Sequence, residues 1–433
     1  MFVTHEKYNK MTKLSKNQKS FKLLTKHNKK RNIKILSLKE QKKKKLIENK
    51  KLLLSDFKQG DIGNCGLIST LAAISQRPEF SDEIYPRMDP TADKTNPSQN
   101  IRFKMYCEGA QTEVTVDDAL PFRNKTSLVY AKSASEDEIS MASYFEKSFV
   151  KQACNSSYNR CVEIHPNFAF SSFSDCMTDF RNYEKEDLKK GVIDYIKHLI
   201  DSKSSVVIGI IPALHDILYG REPDKKIGHG YVVVDYNYER NALKLYDPLS
   251  GTNVCGSKKK KRLTEGSDEN TESSWVNIAQ LEKREVLINS LYSKDMHKPV
   301  FSYKKQIKPS DFDKESKVTI DVCRLSVKEE STFMVNLFLY SHEIEDYDLI
   351  VKTADKREKV NLEFELPETM HGYKNTLKGH PKTEVYQKFQ LRPNTYVLSL
   401  KLKVRNLKNK KLNFLLKVGC VSKCIFEELN LSH

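Results

Sequence analysis

Cys65 is preceded by Gln59-Gly60-Asp61-Ile62-Gly63-Asn64 and followed by Gly66-Leu67-Ile68-Ser69-Thr70-Leu71-Ala72-Ala73-Ile74. The turn of Gly and polar residues gives way at the cysteine to helical spacing, with Leu67, Leu71 and Ile74 on one side. A thiol at a helix N-terminus feels the partial positive charge of unpaired N–H groups, which favours thiolate over thiol. Gln59, six positions upstream, carries an amide donor suited to an oxyanion growing beside the sulfur. A structural cysteine capping a core helix would share the helical spacing, but it has no need of that amide. A second cluster answers the first: Gly228-His229-Gly230-Tyr231, the β-rich run Val232-Val233-Val234, then Leu243-Lys244-Leu245-Tyr246-Asp247. The two runs flank a turn at 237–241 and predict a hairpin. His229 opens one strand and Asp247 closes the other, so the acid can hold the imidazole ring. Cysteine, histidine and an orienting acid are the parts of a nucleophilic acyl-transfer site.

The elements that must position these groups change in texture along the chain. Residues 51–196 alternate helical stretches with loops: the thiol helix, a helix over 138–153 with Ile139, Tyr144, Phe145 and Phe149 on its apolar side, and a third over 187–201. Strands dominate from Val206, at 206–211, 230–236 and 242–246. Residues 258–271 read as a polar loop, and Trp275 opens an apolar stretch that runs to Tyr292. Past Pro309, short β-type runs at 317–327, 331–340, 348–352, 359–364, 385–390, 396–402 and 413–418 predict an antiparallel sandwich.

With these residues in view, the chain resembles the calpains, papain-like cysteine endopeptidases. The family pattern Gln-Gly-x-x-Gly-Asp-Cys-Trp-Leu is similar to Gln59–Leu67, and Gly-His-Ala-Tyr is similar to Gly228–Tyr231. Val114–Pro121 resembles the family's Val-x-Val-Asp-Asp-x-Leu-Pro, and Tyr144–Lys151 resembles its Leu-Leu-Glu-Lys-Ala-Tyr-Ala-Lys helix. The resemblance implies an α+β chain: a two-lobed papain-like protease core followed by an antiparallel β-sandwich that is C2-like. The implied division is a basic arm over 1–50, a first lobe with the thiol helix over 51–200, a second lobe with the His and Asp strands over 201–308, and the sandwich over 309–433. The implied activity is limited proteolysis of protein substrates. Cys65 attacks the peptide carbonyl, His229 protonates the leaving amine, Asp247 orients the ring, and Gln59 with the Cys65 backbone N–H stabilises the oxyanion. Departures from the family near the catalytic positions are informative. Asn64 and Gly66 stand where it has Asp and Trp, Asp247 where it has Asn, and Leu249 where it has a second Trp. The lost indoles predict less bulk beside the cleft. These departures leave open the alternative of a catalytically degenerate scaffold or interaction protein.

The resemblance also implies Ca²⁺ in each lobe. In the first lobe the matching carboxylates are Asp56, nine residues before Cys65, and Glu146, with carbonyls near Asn49 and Lys51. Outside that resemblance the two acids read as an N-cap carboxylate and a surface helix acid. In the second lobe the matching positions fall on Asn253 and the lysine run near Lys260. That site is expected to be lost unless Glu265, Asp268, Glu269 or Glu272 substitutes. No EF-hand loop pattern occurs.

Composition bounds the rest. A chain of 433 residues holds two or three domains. The first fifty residues carry 17 Lys/Arg against 3 acidic residues, so the net charge of +17 belongs mostly to this arm. Self-repulsion and the lack of Gly, Pro and aromatic platforms predict a frayed helix or a disordered arm, open to anionic partners: RNA, nuclear import machinery or acidic lipids. Specific nucleic-acid recognition is not expected without stacking aromatics. No secretory h-region follows Met1, and the apolar run 206–214 is too short to span a bilayer and contains Pro212, so no transmembrane segment is expected. Nine cysteines without a Cys-x-x-Cys pair point to reduced thiols inside a cell, in the cytoplasm with the nucleus as a second compartment. Cys420-x-x-x-Cys424 reads as two sandwich thiols rather than a metal knuckle.

Overall fold

The computed structural model describes residues 33–37, 40, 45–46, 52–77, 87–88, 100–107, 109–133, 135, 138–154, 156–183, 191–211, 213–214, 228–254, 275–281, 284–293, 298–340, 344–355, 368–371, 383–405, 412–422 and 424–429. Helices and antiparallel sheets give an α+β chain. One buried core is built mainly from residues 52–176 and a second mainly from 177–292. The thiol helix, Cys65–Ser75, lies between them. It packs on helix Pro166–Phe173 on one side and on strands His229–Asn237 and Ser205–Ile211 on the other.

Leu67, Leu71 and Ile74 are all buried, but so is every residue from Gly66 to Ser75, so the helix has no solvent face. Buried hydroxyls must find acceptors, and these do. Ser69 Oγ donates to Gly230 O at 2.8 Å, Thr70 Oγ1 to Gly66 O at 2.7 Å and Ser75 Oγ to Ala72 O at 2.8 Å. The helix expected over 138–153 begins later, at Met141, and runs to Ala153. Ser140 caps it by accepting from Ala142 N at 2.9 Å, an interaction whose loss typically costs about 1 kcal/mol. Ser140 is thus the start signal, while Glu138–Ile139 forms a short strand parallel to Lys45–Leu46. Within this helix Lys147 Nζ donates to Asp117 Oδ1 at 2.6 Å, and Tyr144 OH to Asp118 O at 3.1 Å. Those bonds join two of the stretches that carry the family resemblance.

The first part of the chain also holds strands that the helix-and-loop reading did not contain. Asn100–Cys107 and Ala110–Asp117 form a hairpin in which Ile101, Phe103 and Met105 are buried and Arg102 and Lys104 are exposed. That two-residue period was present in the sequence. The arm needs a similar correction. Ile33–Leu36 pairs antiparallel with Leu120–Arg123, and Lys45–Leu46 pairs with Glu138–Ile139. The two isoleucines and the leucine of this segment supply a strand despite the surrounding lysines.

The His sheet is seven-stranded. Its main path runs Thr252–Asn253, Ala242–Asp247, His229–Asn237, Ser205–Ile211, Glu285–Leu291 and Thr178–Tyr183, with Trp275–Asn277 joined to Ala242–Asp247. The expected hairpin is there, with Val232 opposite Tyr246 and Asn237 opposite Ala242. The third helix is described from Val192 to Asp201.

Two further antiparallel sheets share one core containing Ile320, Leu325, Phe333, Leu337, Leu400 and Phe414. The five-stranded sheet is ordered Lys298–Ile307, Leu412–Cys420, Ser331–Leu339, Thr383–Leu391 and Glu368–His371. The four-stranded sheet is ordered Ile344–Thr353, Asn394–Val404, Lys317–Val327 and Cys424–Glu428. The run expected at 359–364 lies outside the described residues. Lys298–Ile307, which the sequence division left in the second lobe, pairs with Leu412–Cys420 and so belongs to the sandwich. Its Lys-Lys-Gln stretch hid the alternation of a sheet-edge strand.

Every residue of Leu412–Cys420 is buried, because one face meets the core shared by the two sheets and the other meets the part of the chain that carries the thiol helix. There Lys417 Nζ donates to Asp175 O at 3.3 Å. Asn336 and Thr178 exchange two hydrogen bonds, at 3.0 and 2.9 Å. Buried Asp179 accepts from Tyr195 OH at 2.6 Å and Tyr292 OH at 2.9 Å, and lies 3.3 Å from Lys388 Nζ.

Candidate active site

The loop before the thiol helix is held on three sides. Gln59 N–H donates to Pro248 O at 2.7 Å, Asp61 N–H to Val129 O at 2.9 Å, and Gly63 O accepts from Glu163 N at 2.8 Å. One glycine of the loop and one of the helix are dictated by close approach. A Cβ on Gly60 would lie 2.4 Å from the Tyr130 backbone, and one on Gly66 would lie 1.9 Å from Ile164 O. Cys65 emerges from this loop as the first residue of the helix, half-buried.

His229 and Asp247 occupy the predicted strand ends, and His229 Nε2 lies 2.7 Å from Asp247 Oδ1. The same carboxylate oxygen accepts from Leu249 N at 2.9 Å. The imidazole stands edge-on to Tyr231, with ring centroids 4.7 Å apart. Tyr231 is itself fixed by Leu214 N, which donates to its hydroxyl at 3.0 Å. On the thiol side, Gly230, the next residue of the strand, packs against the backbone of Cys65 and Gly66. His229 thus stands between the aspartate it contacts and the cysteine whose thiolate it favours.

Charge completes the site. Burial opposes the thiolate of Cys65, but the hydrogen bond and charge of His229, with the N–H groups of Gly230 and Gly66, hold its pKa below the ordinary thiol value. Burial likewise opposes the imidazolium, yet hydrogen bonds to Asp247 and Cys65 raise His229 to about 9. Asp247 is depressed against its burial by the same contact with His229. Both shifts favour an ionised thiolate–imidazolium pair, and its two titrations belong to the pair. Activity should therefore rise with pH as the thiolate forms and fall as the imidazolium is lost near pH 9. Asp247→Asn removes the carboxylate that raises His229, so its alkaline limb should move to lower pH while activity near neutrality persists. Asp247→Ala should lose more, because the ring loses its partner. Rate–pH profiles of the three proteins check this, and an Asn variant with an unmoved alkaline limb refutes it.

Gln59 stands beside these groups, but its amide is engaged: Nε2 donates to Ile62 O at 2.6 Å, leaving one N–H of the pair for an oxyanion. Cys65, at the first helical position, has no carbonyl four residues upstream within the helix for its own N–H. The expectation of lost bulk fails at Gly66, where the place of an indole's Cβ is filled by the Ile164 carbonyl. Leu249 is 38% exposed and gives the site a backbone N–H rather than a cover.

Ser69 was not singled out from sequence. It lies four residues after Cys65, on the same helix face, and its bond to Gly230 ties the thiol helix to the His strand. Tyr246 OH→Phe57 O at 3.1 Å, Gln59 N→Pro248 O, Ser205 Oγ→Ala73 O at 3.2 Å and Arg77 Nη2→Ser204 O at 2.8 Å also cross between the thiol and His sides. Each typically contributes about 1 kcal/mol.

The carboxylates considered for calcium are turned inward. Glu146 is fully buried: Oε1 accepts from Asn64 Nδ2 at 2.6 Å and Oε2 from Ala131 N at 2.9 Å. Burial raises it to about 7 against those two donors. Asp56 Oδ2 accepts from Leu53 N at 2.8 Å, and the Asp56 carbonyl accepts from Ser140 Oγ at 2.6 Å. Among the described residues no group of three or more His, Cys, Asp and Glu could hold a metal ion. As placed, Asp56 and Glu146 accept from loop and helix donors. Asn64 has a reason here: an aspartate in its place would face the Glu146 carboxylate. Asn49, Lys51, Lys260, Glu265, Asp268, Glu269 and Glu272 lie outside the described residues, as does the side chain of Asn253.

Residues 9–294 match the family described as "Calpain family cysteine protease". The chain belongs to the calpain family. A protein named "Calpain" from Schistosoma mansoni is 31% identical over 97 residues, 22% of this chain and 12% of that relative. This calpain-family chain thus aligns with far less than two thirds of that relative's length. Among its described residues no helix is long and apolar enough to cross a membrane.

Proposed function

We propose that the chain is an active, intracellular cysteine endopeptidase that cuts protein substrates at limited sites. The observation that carries this reading is the His229–Asp247 pair on the strand that packs against Cys65 at the helix N-terminus, with His229 favouring the thiolate. The Cys65 thiolate attacks the scissile carbonyl carbon, and the oxyanion is met by the Cys65 N–H and the remaining Gln59 amide proton. His229 gives its proton to the leaving amine as the C–N bond breaks, leaving an acyl-enzyme thioester. Neutral His229 then takes a proton from water, whose hydroxide attacks the thioester and releases Cys65 as thiolate. Asp247 keeps the ring in place and stabilises its charge through both steps.

The hydrogen bonds across the junction support alignment of Cys65 and His229 by protein contacts rather than by calcium. The test is cleavage of casein or another unfolded protein, with and without a calcium chelator. Cleavage that persists in chelator supports both statements, and cleavage only with added calcium removes the second. Absence of cleavage in either condition leaves the scaffold reading.

The basic arm supports a separate role in contacts with RNA, import machinery or acidic lipid. Deleting residues 1–32 removes ten Lys/Arg and one acidic residue while keeping strand Ile33–Leu36. The truncated protein should lose salt-sensitive retention on heparin and keep its cleavage rate within about twofold. Undiminished retention would assign the binding to the body instead.

A further inference from the structure

Cys420 closes strand Leu412–Cys420, Cys424 opens strand Cys424–Glu428, and their sulfurs lie 3.0 Å apart. The strands belong to different sheets of the sandwich, so the two thiols meet where the chain crosses from one sheet to the other. Two sulfurs this close are inside van der Waals contact, and a bond between them requires only a small further approach. Both are free thiols, and neither belongs to the Cys65–His229–Asp247 site. Their exposures differ in a useful way: Cys424 is half-exposed, while Cys420 is buried behind it. An accessible thiol backed by a buried one is the arrangement of an entering and a resolving cysteine.

We propose that Cys420 and Cys424 form a reversible thiol–disulfide site that staples the C-terminal strand to the opposite sheet. The oxidant is a low-molecular-weight disulfide of the glutathione type. Cys424, as thiolate, attacks one of its sulfurs, forming a mixed disulfide and expelling one small thiolate. Cys420, as thiolate, then attacks the Cys424 sulfur and expels the second small thiolate. The two protons lost by the cysteines end on the two released thiols, so one disulfide is consumed and one is made. Burial and the neighbouring Cys420 push Cys424 up to about 12, which keeps its thiolate scarce. The exchange is therefore slow, a response to sustained oxidising conditions. Cys424–Glu428 is an edge strand whose partner in the sheet is Lys317–Val327. The bond gives it a second anchor.

The sequence makes the test direct, because Lys423 separates the two cysteines and Lys417 precedes both. The full chain is equilibrated with excess oxidised glutathione, its remaining thiols are alkylated, and it is digested with trypsin without reductant. The expected product is peptide 418–423 joined to peptide 424–433, two hydrogens lighter than their sum and separated by reductant. The joined pair should be absent from Cys420→Ser. Wild-type protein in which both peptides are alkylated, or each carries its own glutathione, would overturn the proposal. So would a joined pair that forms only after the chain is unfolded in urea.

Discussion

Cys65→Ala should abolish peptide-bond cleavage, lowering the rate by about four orders of magnitude or more, while the protein stays folded. The loss is large because the sulfur is the only group on the helix N-terminus that can form the acyl bond, and the other parts of the site act through it. The fold should survive because the side chain is half-buried and trimming one sulfur opens little space. A second signature separates loss of the nucleophile from general damage. With the thiolate gone, His229 loses one of the two partners that raise it, so its titration should move down from about 9. Histidine NMR on the parent and the variant reads that shift. Equal cleavage of casein by both proteins would reject the nucleophile.

The other large effect is expected at Gly66, where the family residue should be harmful. Gly66→Trp restores the family pattern, yet even the Cβ of Gly66→Ala would sit 1.9 Å from the Ile164 carbonyl. The obstacle is backbone, packed beside helix Pro166–Phe173, and cannot swing aside as a side-chain tip can. Gly66→Ala should cost about 3 kcal/mol and Gly66→Trp more, with the unfolding temperature of the catalytic part falling by several degrees. Because Gly66 adjoins Cys65, cleavage should fall with it. Calorimetry together with casein assays checks both effects. An alanine variant as stable and as active as the parent would mean that the Ile164 carbonyl does not press on Gly66 as described.

The chemistry was more legible in the sequence than the framework. The thiol at a helix start, the hairpin and its two terminal residues follow from local spacing, and all three reappear where the spacing put them. Long-range contacts were not legible. Nothing near Gly66 announces a carbonyl from residue 164, and nothing near Glu146 announces Asn64, since such pairs depend on the packing of distant segments. The surface-acid alternative for Glu146 failed for the same reason: its helix is covered on nearly all sides. The arm misled through composition, because a lysine-rich average concealed the strand at Ile33–Leu36. In the sandwich, by contrast, Lys317–Val327 is a strand with the expected bounds, its alternation intact up to a bulge at Asp321/Cys323.

The Asp179 cluster bears on how short the protein can be made. Gln59, Cys65, His229 and Asp247 all lie within the stretch that matches the family, which invites expression of that stretch alone. Yet Asp179 is a buried carboxylate kept ionised, against its burial, first by Lys388 and then by Arg181, Tyr195 and Tyr292. A stop placed after the family match would keep the acid and discard its main counter-charge. Asp179 would then have to be protonated or drawn into water, opening the strand that carries it. Its stabilising contribution, present at neutral pH and lost on acidification, would shrink first in mildly acidic buffer. The smallest durable form of the Cys65–His229 part therefore extends past Lys388, and the two C-terminal sheets act as a structural support carried on the same polypeptide.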